Sequence, residues 1–190
     1  MNLKAFFAAS VLALVSAGVS ADQVDVNLSN DTAYMKYAST LNYNGYGRTD
    51  MEIGALYTEA GDVMGSFGMF MTGEAGSDVP GLGFGLTVRL YAMNLDAPDA
   101  SLAAVALGGG ATYKPAPGSR FGVTAYINYA PNITTFGDAE NLMETGLRAE
   151  YEVLPGAAAY VGYRLIRTEL VGLGDIDLDD GGHVGLRLSF

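Results

Sequence analysis

The sequence predicts an all-β chain: a transmembrane antiparallel up-and-down β-barrel of ten strands, with eight as the alternative count. Three observations predict it. Short segments alternate apolar and polar residues with period 2, one after another along the chain. No run after the N-terminus approaches the 18 apolar residues a helical span needs. The last segment, Gly182–Phe190, alternates Val184, Leu186, Leu188 and Phe190 against His183, Gly185, Arg187 and Ser189, so its apolar face ends on the terminal aromatic.

Residues 1–21 read as a cleaved targeting segment. Lys4 gives the positive start, Ala5–Val15 is an apolar stretch too short to span a bilayer, and Val19-Ser20-Ala21 is a small-residue cleavage site. The barrel domain is then 22–190. Of 190 residues, 10 are basic and 21 acidic, for a net charge of −11. Removing the segment takes Lys4 away and leaves 9 basic against 21 acidic. That balance excludes a nucleic-acid partner. With no Cys there is no disulfide framework and no thiolate chemistry.

Taken in order, Val24, Val26 and Leu28 alternate with Asp25, Asn27 and Ser29, and Met35 and Tyr37 flank Lys36. Met51, Ile53, Ala55 and Tyr57 alternate with Glu52, Gly54 and Thr58. Val63–Thr72 is the least regular segment, because Met64 and Phe70 fall on the polar parity. Leu82–Tyr91, Ala103–Lys114, Phe121–Tyr129, Met143–Val153 and Tyr160–Leu165 follow, each with Gly, Tyr or charge on the polar face. A soluble sandwich also alternates. Polar faces rich in Gly and Tyr and carrying both signs of charge suit a crowded lumen better than a solvated surface, and only a closed barrel leaves no strand edge unpaired in lipid.

The termini of such barrels share the periplasmic side. Leu154-Pro155-Gly156 and Lys114–Ser119 then become periplasmic turns, and Pro131–Asn141 and Val171–Gly181 become acidic surface loops. The same count puts the tight Glu59–Asp62 turn outside and a longer Thr40–Thr49 connection inside.

Parity sends Lys36, Arg89, Lys114, Arg120, Arg148, Arg164 and Arg187 to the lumen, with Asp25, Glu52, Glu144, Glu150 and Glu152. Paired in a narrow barrel, they fill and plug the interior. Left apart, they line a narrow passive pore that selects small solutes by charge and size. Which of the two holds turns on whether Arg148, Arg164 and Arg187 meet Glu144, Glu150 and Glu152 across the lumen. Asp175, Asp177, Asp179 and Asp180 resemble a calcium loop, but the Gly comes one place late and the twelfth position is Leu186, which cannot ligate. An exposed acidic loop sharing divalent cations with lipid phosphates is the expectation there, with no resident metal and no cofactor. His183, placed near the rim, is the single His. A rim hydrolase would need it, yet no Gly-x-Ser-x-Gly elbow accompanies it. The expectation is that the chain is not an enzyme.

The terminal strand resembles the closing strand of bacterial outer-membrane barrels, which implies that Gly185, Leu186, Leu188 and Phe190 form the signal read by the barrel-assembly machinery. Ala106-Leu107-Gly108-Gly109-Gly110, Tyr129-Ala130-Pro131, Gly162-Tyr163-Arg164 and Gly185 to Phe190, in that order over roughly 101–190, resemble the YfaZ-type outer-membrane protein family. The resemblance implies an outer-membrane barrel with a signal peptide and brings no catalytic residues. The functions expected are structural or weakly pore-forming, with a non-conducting barrel acting through its acidic loops as the alternative. The expected surroundings are lipid and lipopolysaccharide around a monomer.

Overall fold

The structure is a computed structural model describing residues 22–43, 47–74, 79–116 and 118–190. The targeting segment, 1–21, lies outside the described residues. The strands are β1 (Asp22–Leu28), β2 (Thr32–Tyr43), β3 (Gly47–Thr58), β4 (Val63–Glu74), β5 (Leu82–Leu95), β6 (Ala100–Tyr113), β7 (Phe121–Ala130), β8 (Thr135–Gly137), β9 (Ala139–Leu154), β10 (Ala157–Leu170) and β11 (Gly174–Ser189). Each pairs antiparallel with its neighbours, and β1 pairs with β11, Val26 opposite Leu186, which closes the sheet. β7 and β8 both pair with β6, at Leu107–Tyr113 and Leu102–Ala104, and a 3-10 turn at Asn132–Thr134 separates them. They form one interrupted stave, so the barrel has the ten staves the sequence predicts, and eight is excluded.

The expected connections are shorter than the sequence indicated. β2 runs to Tyr43 and β3 starts at Gly47, so most of Thr40–Thr49 is strand. The expected Pro131–Asn141 loop contains the 3-10 turn, β8 and the start of β9. The expected Val171–Gly181 loop is a turn of three residues, 171–173, followed by β11. Strand hydrogen bonding wins at the last two because there the chain continues the ladder past the membrane.

The termini lie together: Asp22 N–H donates to the Phe190 carbonyl at 3.0 Å and Phe190 N–H returns to Asp22 at 2.9 Å. In an outer-membrane barrel this is the periplasmic end. Val26, Ile53, Phe67, Leu86, Val88, Leu147, Val161, Val184 and Leu186 stand exposed on the outer face. Tyr113, Phe121, Tyr151 and Phe190 girdle this band towards the termini, and Tyr57 and Tyr129 girdle it towards the far end. An apolar belt of this kind is stable only in hydrocarbon.

Polarity then inverts along the strands. On β10, Val161 and Tyr163 face outward, and further on Arg167 and Glu169 do; the inward series runs from Tyr160 and Arg164 to Ile166 and Leu170. The far end therefore stands in water with an apolar interior. On its outside Arg167 forks onto Asp177 at 2.6 and 2.9 Å, and Asn141 donates to Glu169 at 2.6 Å. The Arg167 hydrogen bonds hold the Asp177 carboxyl below its ordinary range.

Leu147→Arg is expected to cost about 2–4 kcal/mol in detergent or vesicle unfolding, because Leu147 faces mid-membrane hydrocarbon. Asn94→Arg, exposed on the outward face beyond the belt, is expected to change stability by less than about 0.5 kcal/mol. Equal costs would contradict the inversion.

Candidate functional site

The lumen is the candidate site, and its side chains form three tiers. The tier nearest the far end is apolar. Leu56, Met64, Leu95, Leu142 and Ile166 are fully enclosed, with Leu102, Leu170 and Leu178 packed on them. Met64, which seemed to break the alternation, belongs here: the lumen itself is apolar at this level, so inward parity demands an apolar residue.

The middle tier is ionic. Glu144 and Arg164 are each 1 % exposed and Arg89 is 2 %. The Glu144 carboxylate accepts from Arg89 Nη1 at 3.1 Å, from Tyr126 Oη at 3.0 Å, from Asn128 Nδ2 at 3.4 Å and from the Tyr91 hydroxyl. These donors come from β5 and β7, so one carboxylate on β9 ties two other strands. Arg89 Nη2 also reaches Glu52 at 2.5 Å, and Lys36 closes on Glu52 at 3.5 Å. Burying a charge is tolerated only when its partners and hydrogen bonds are supplied in this way.

Arg164 makes the second cluster. Its Nε donates to Asp179 at 2.5 Å, Nη1 to Asn27 at 3.1 Å and Nη2 to Thr32 at 3.3 Å, and Thr32 passes a hydrogen bond to Asp179 at 3.2 Å. Aromatic faces cover the cations: Arg164 lies 4.6 Å from the Tyr34 ring centroid, Arg89 4.9 Å from Phe70 and Arg148 5.2 Å from Tyr160. Phe70, the second apparent break in the β4 alternation, is thus a lid for Arg89. Gly146 makes room for this packing, since a Cβ there would meet the Tyr126 ring at 2.5 Å.

Nearest the termini, Arg148 meets Asp25 at 3.1 Å and Glu150 at 3.5 Å, and Arg187 meets Glu150 at 2.6 Å. Asp25 also accepts from the Tyr160 hydroxyl. A cavity of about 180 Å³ opens at this mouth, lined by Lys114, Arg120, Glu150, Glu152 and Arg187.

Of Arg148, Arg164 and Arg187, two meet one of the acids Glu144, Glu150 and Glu152. Arg187 and Arg148 reach Glu150. Arg164 goes to Asp179 instead of Glu144, and Glu144 takes Arg89. Glu152 stays at the mouth and forms no ion pair among the described residues. Arg120 sits at the same mouth, exposed, ahead of β7. Asp179 was expected on an exposed loop and is buried. A register shift opposite Ile166 and Arg167 turns Leu178 and Asp179 inward together, which alternation alone does not foresee. Asp177 and Asp180 point elsewhere, to Arg167 and to the Tyr163 hydroxyl, so the acids do not converge as a calcium loop would. His183 is not at the rim. It pairs with Gly162 and lies edge-on to Tyr160 at 5.9 Å, with Gly174–Gly182 of β11 continuing beyond it. Leu186, Leu188 and Phe190 face outward and Gly185 lies against Tyr160. The sequence reading missed Tyr34, although it shares parity with Lys36.

The YfaZ precursor family matches residues 3–190. The chain belongs to that family. The match takes in the N-terminal half, where the motifs are weakest, and the apolar belt places this YfaZ-family chain in the bacterial outer membrane. Among solved structures, the chain is similar to one from a study of the in-meso crystallisation of membrane proteins, at 10 % identity over 90 % of this chain and 83 % of that one, TM-score 0.49. It is also similar to the outer membrane channel DcaP of Acinetobacter baumannii, at 14 % over 92 % and 64 %, TM-score 0.45. OmpT, an outer membrane protein of Vibrio cholerae, matches at 13 % over 88 % and 64 %, TM-score 0.43. The chain thus spans about 64 % of the length of those last two. No curated protein matches it.

Arg164→Met is expected to cost about 3–5 kcal/mol, since it strands the buried Asp179 carboxylate and Asn27. Gly146→Ala is expected to cost about 1–3 kcal/mol by driving Tyr126 off Glu144. Denaturant unfolding of the refolded variants measures both, and wild-type midpoints would contradict the packing described.

Proposed function

We propose that this YfaZ-family barrel is a non-conducting structural element of the outer membrane, acting on the envelope by its presence and its outer surface rather than by transport. The observation that carries this reading is the middle tier: two buried clusters, Glu144 with Arg89 and Asn128 and Arg164 with Asp179 and Asn27, at 1–5 % exposure, lie beneath an apolar tier that offers an ion nothing to bind. Selective pores keep polar groups free to replace hydration, whereas here the charges are spent on one another. At the mouth near the termini, Glu150 lines the cavity and is paired with Arg148 and Arg187. A monomer bounded by lipid and lipopolysaccharide and inserted by the barrel-assembly machinery through its terminal strand fits the same reading. In this reading His183 is a packing residue, its ring edge-on to Tyr160.

Planar-bilayer recording of the refolded protein is expected to give no conductance steps at any voltage. Reproducible unitary steps with ion selectivity would replace this reading with the narrow pore.

A further inference from the structure

A closed barrel has no free edges, but this one keeps a partial edge at its outer end. β11 pairs with β10 from Gly174 to Leu188, whereas β1 covers it only from Val184 to Ser189. β1 ends at Leu28 and turns back at Ser29–Asp31, so among the described residues no strand pairs along the β1 side of Gly174–His183. The gap is a cleft of about 570 Å³. One wall is the β11 edge, Asp177–Gly182; the others are the β1–β2 turn and the β3–β4 turn at Thr58–Asp62. Gly181 adds no side chain to that wall, and the space at its Cβ position is empty to 4 Å.

We propose that this edge docks an extended, lysine- or arginine-rich polypeptide segment at the cell surface by β-strand addition. An unpaired edge is a template for another strand, because its N–H and C=O groups are already aligned. Its charge decides the occupant. Asp31 and Glu59 stand exposed at the cleft and form no ion pair among the described residues. A second copy docking edge to edge would set the acids of β11 against those of its twin, and like charges across a ladder repel. A basic strand gains the ladder and the ion pairs together. The inference depends on the outer end being outside and not on whether the lumen conducts.

The test uses the full barrel in detergent micelles and ten-residue fluorescent peptides alternating lysine and threonine. One set is unmodified, one is methylated on the lysine backbone nitrogens, one on the threonine nitrogens, and a glutamate–threonine peptide is the control. Successive backbone N–H groups point to opposite edges of a strand, so methylation blocks one edge at a time at constant charge. Fluorescence anisotropy is expected to show salt-sensitive binding of the unmodified lysine peptide and none of the glutamate peptide. The two methylated isomers are expected to differ by at least tenfold. The combined Asp31→Asn and Glu59→Gln variant, with folding checked by heat-modifiable gel mobility, is expected to bind at least tenfold more weakly. Equal binding of the two isomers would reduce the site to charge attraction and overturn strand addition. No binding of the lysine peptide to the wild-type barrel would overturn the proposal entirely.

Discussion

The Glu144 carboxylate is the constraint on which the rest of this structure depends. It is a buried charge in the middle of a membrane barrel, and it persists because four donors from two strands converge on it. Arg89 cannot serve it without its own surroundings, so Glu52, Lys36 and the Phe70 ring follow. Tyr126 cannot reach it unless residue 146 lacks a side chain. The sequence along several strands is thereby chosen around one acid. The Arg164–Asp179 cluster repeats the logic, with Thr32 and Asn27 completing the guanidinium.

Above these clusters the chain changes strategy. Within the hydrocarbon, the barrel is apolar outside and ionic inside; beyond it, Leu95, Leu142, Ile166 and Leu170 make an ordinary hydrophobic core under a polar exterior. The outer third behaves as a soluble β-barrel stacked on a membrane one. This explains why strands run past the belt instead of breaking into loops. It also explains why a chain of this size can stand closed at its outer end without long loops folded over the mouth.

Alternation made the fold legible because it follows from the geometry of a strand with two different solvents on its faces. It gave the ten staves, the belt and the lumen set containing Lys36, Glu52, Arg89, Glu144, Arg148, Glu150, Arg164 and Arg187. It reports which face a residue occupies, but not its depth or its partner. Arg164 and Glu144 share parity and proximity along the sheet, yet Asp179 takes Arg164 because an irregularity in the β10–β11 register turns it inward. Met64 and Phe70 looked like errors only under the assumption of a uniformly polar lumen. The acidic run before the last strand looked like a loop because loops and solvated strand ends share a composition. His183 looked like a rim residue because the strand continues through that acidic run. The signals that would have helped were present: Ile176 and Leu178 interleave with the acids, and Leu142, Ile166 and Leu170 sit on inward parity together.

The most direct test of the account is a double-mutant cycle on Arg89 and Glu144, read by denaturant unfolding of the barrel in vesicles. If the pair is the mutual compensation of two buried charges, Arg89→Met and Glu144→Gln each cost about 3–5 kcal/mol. The combined variant then costs less than their sum, with a coupling on the order of 0.5–3 kcal/mol. Additive losses, or single variants as stable as the wild type, would mean that the lumen is not held together by this tier.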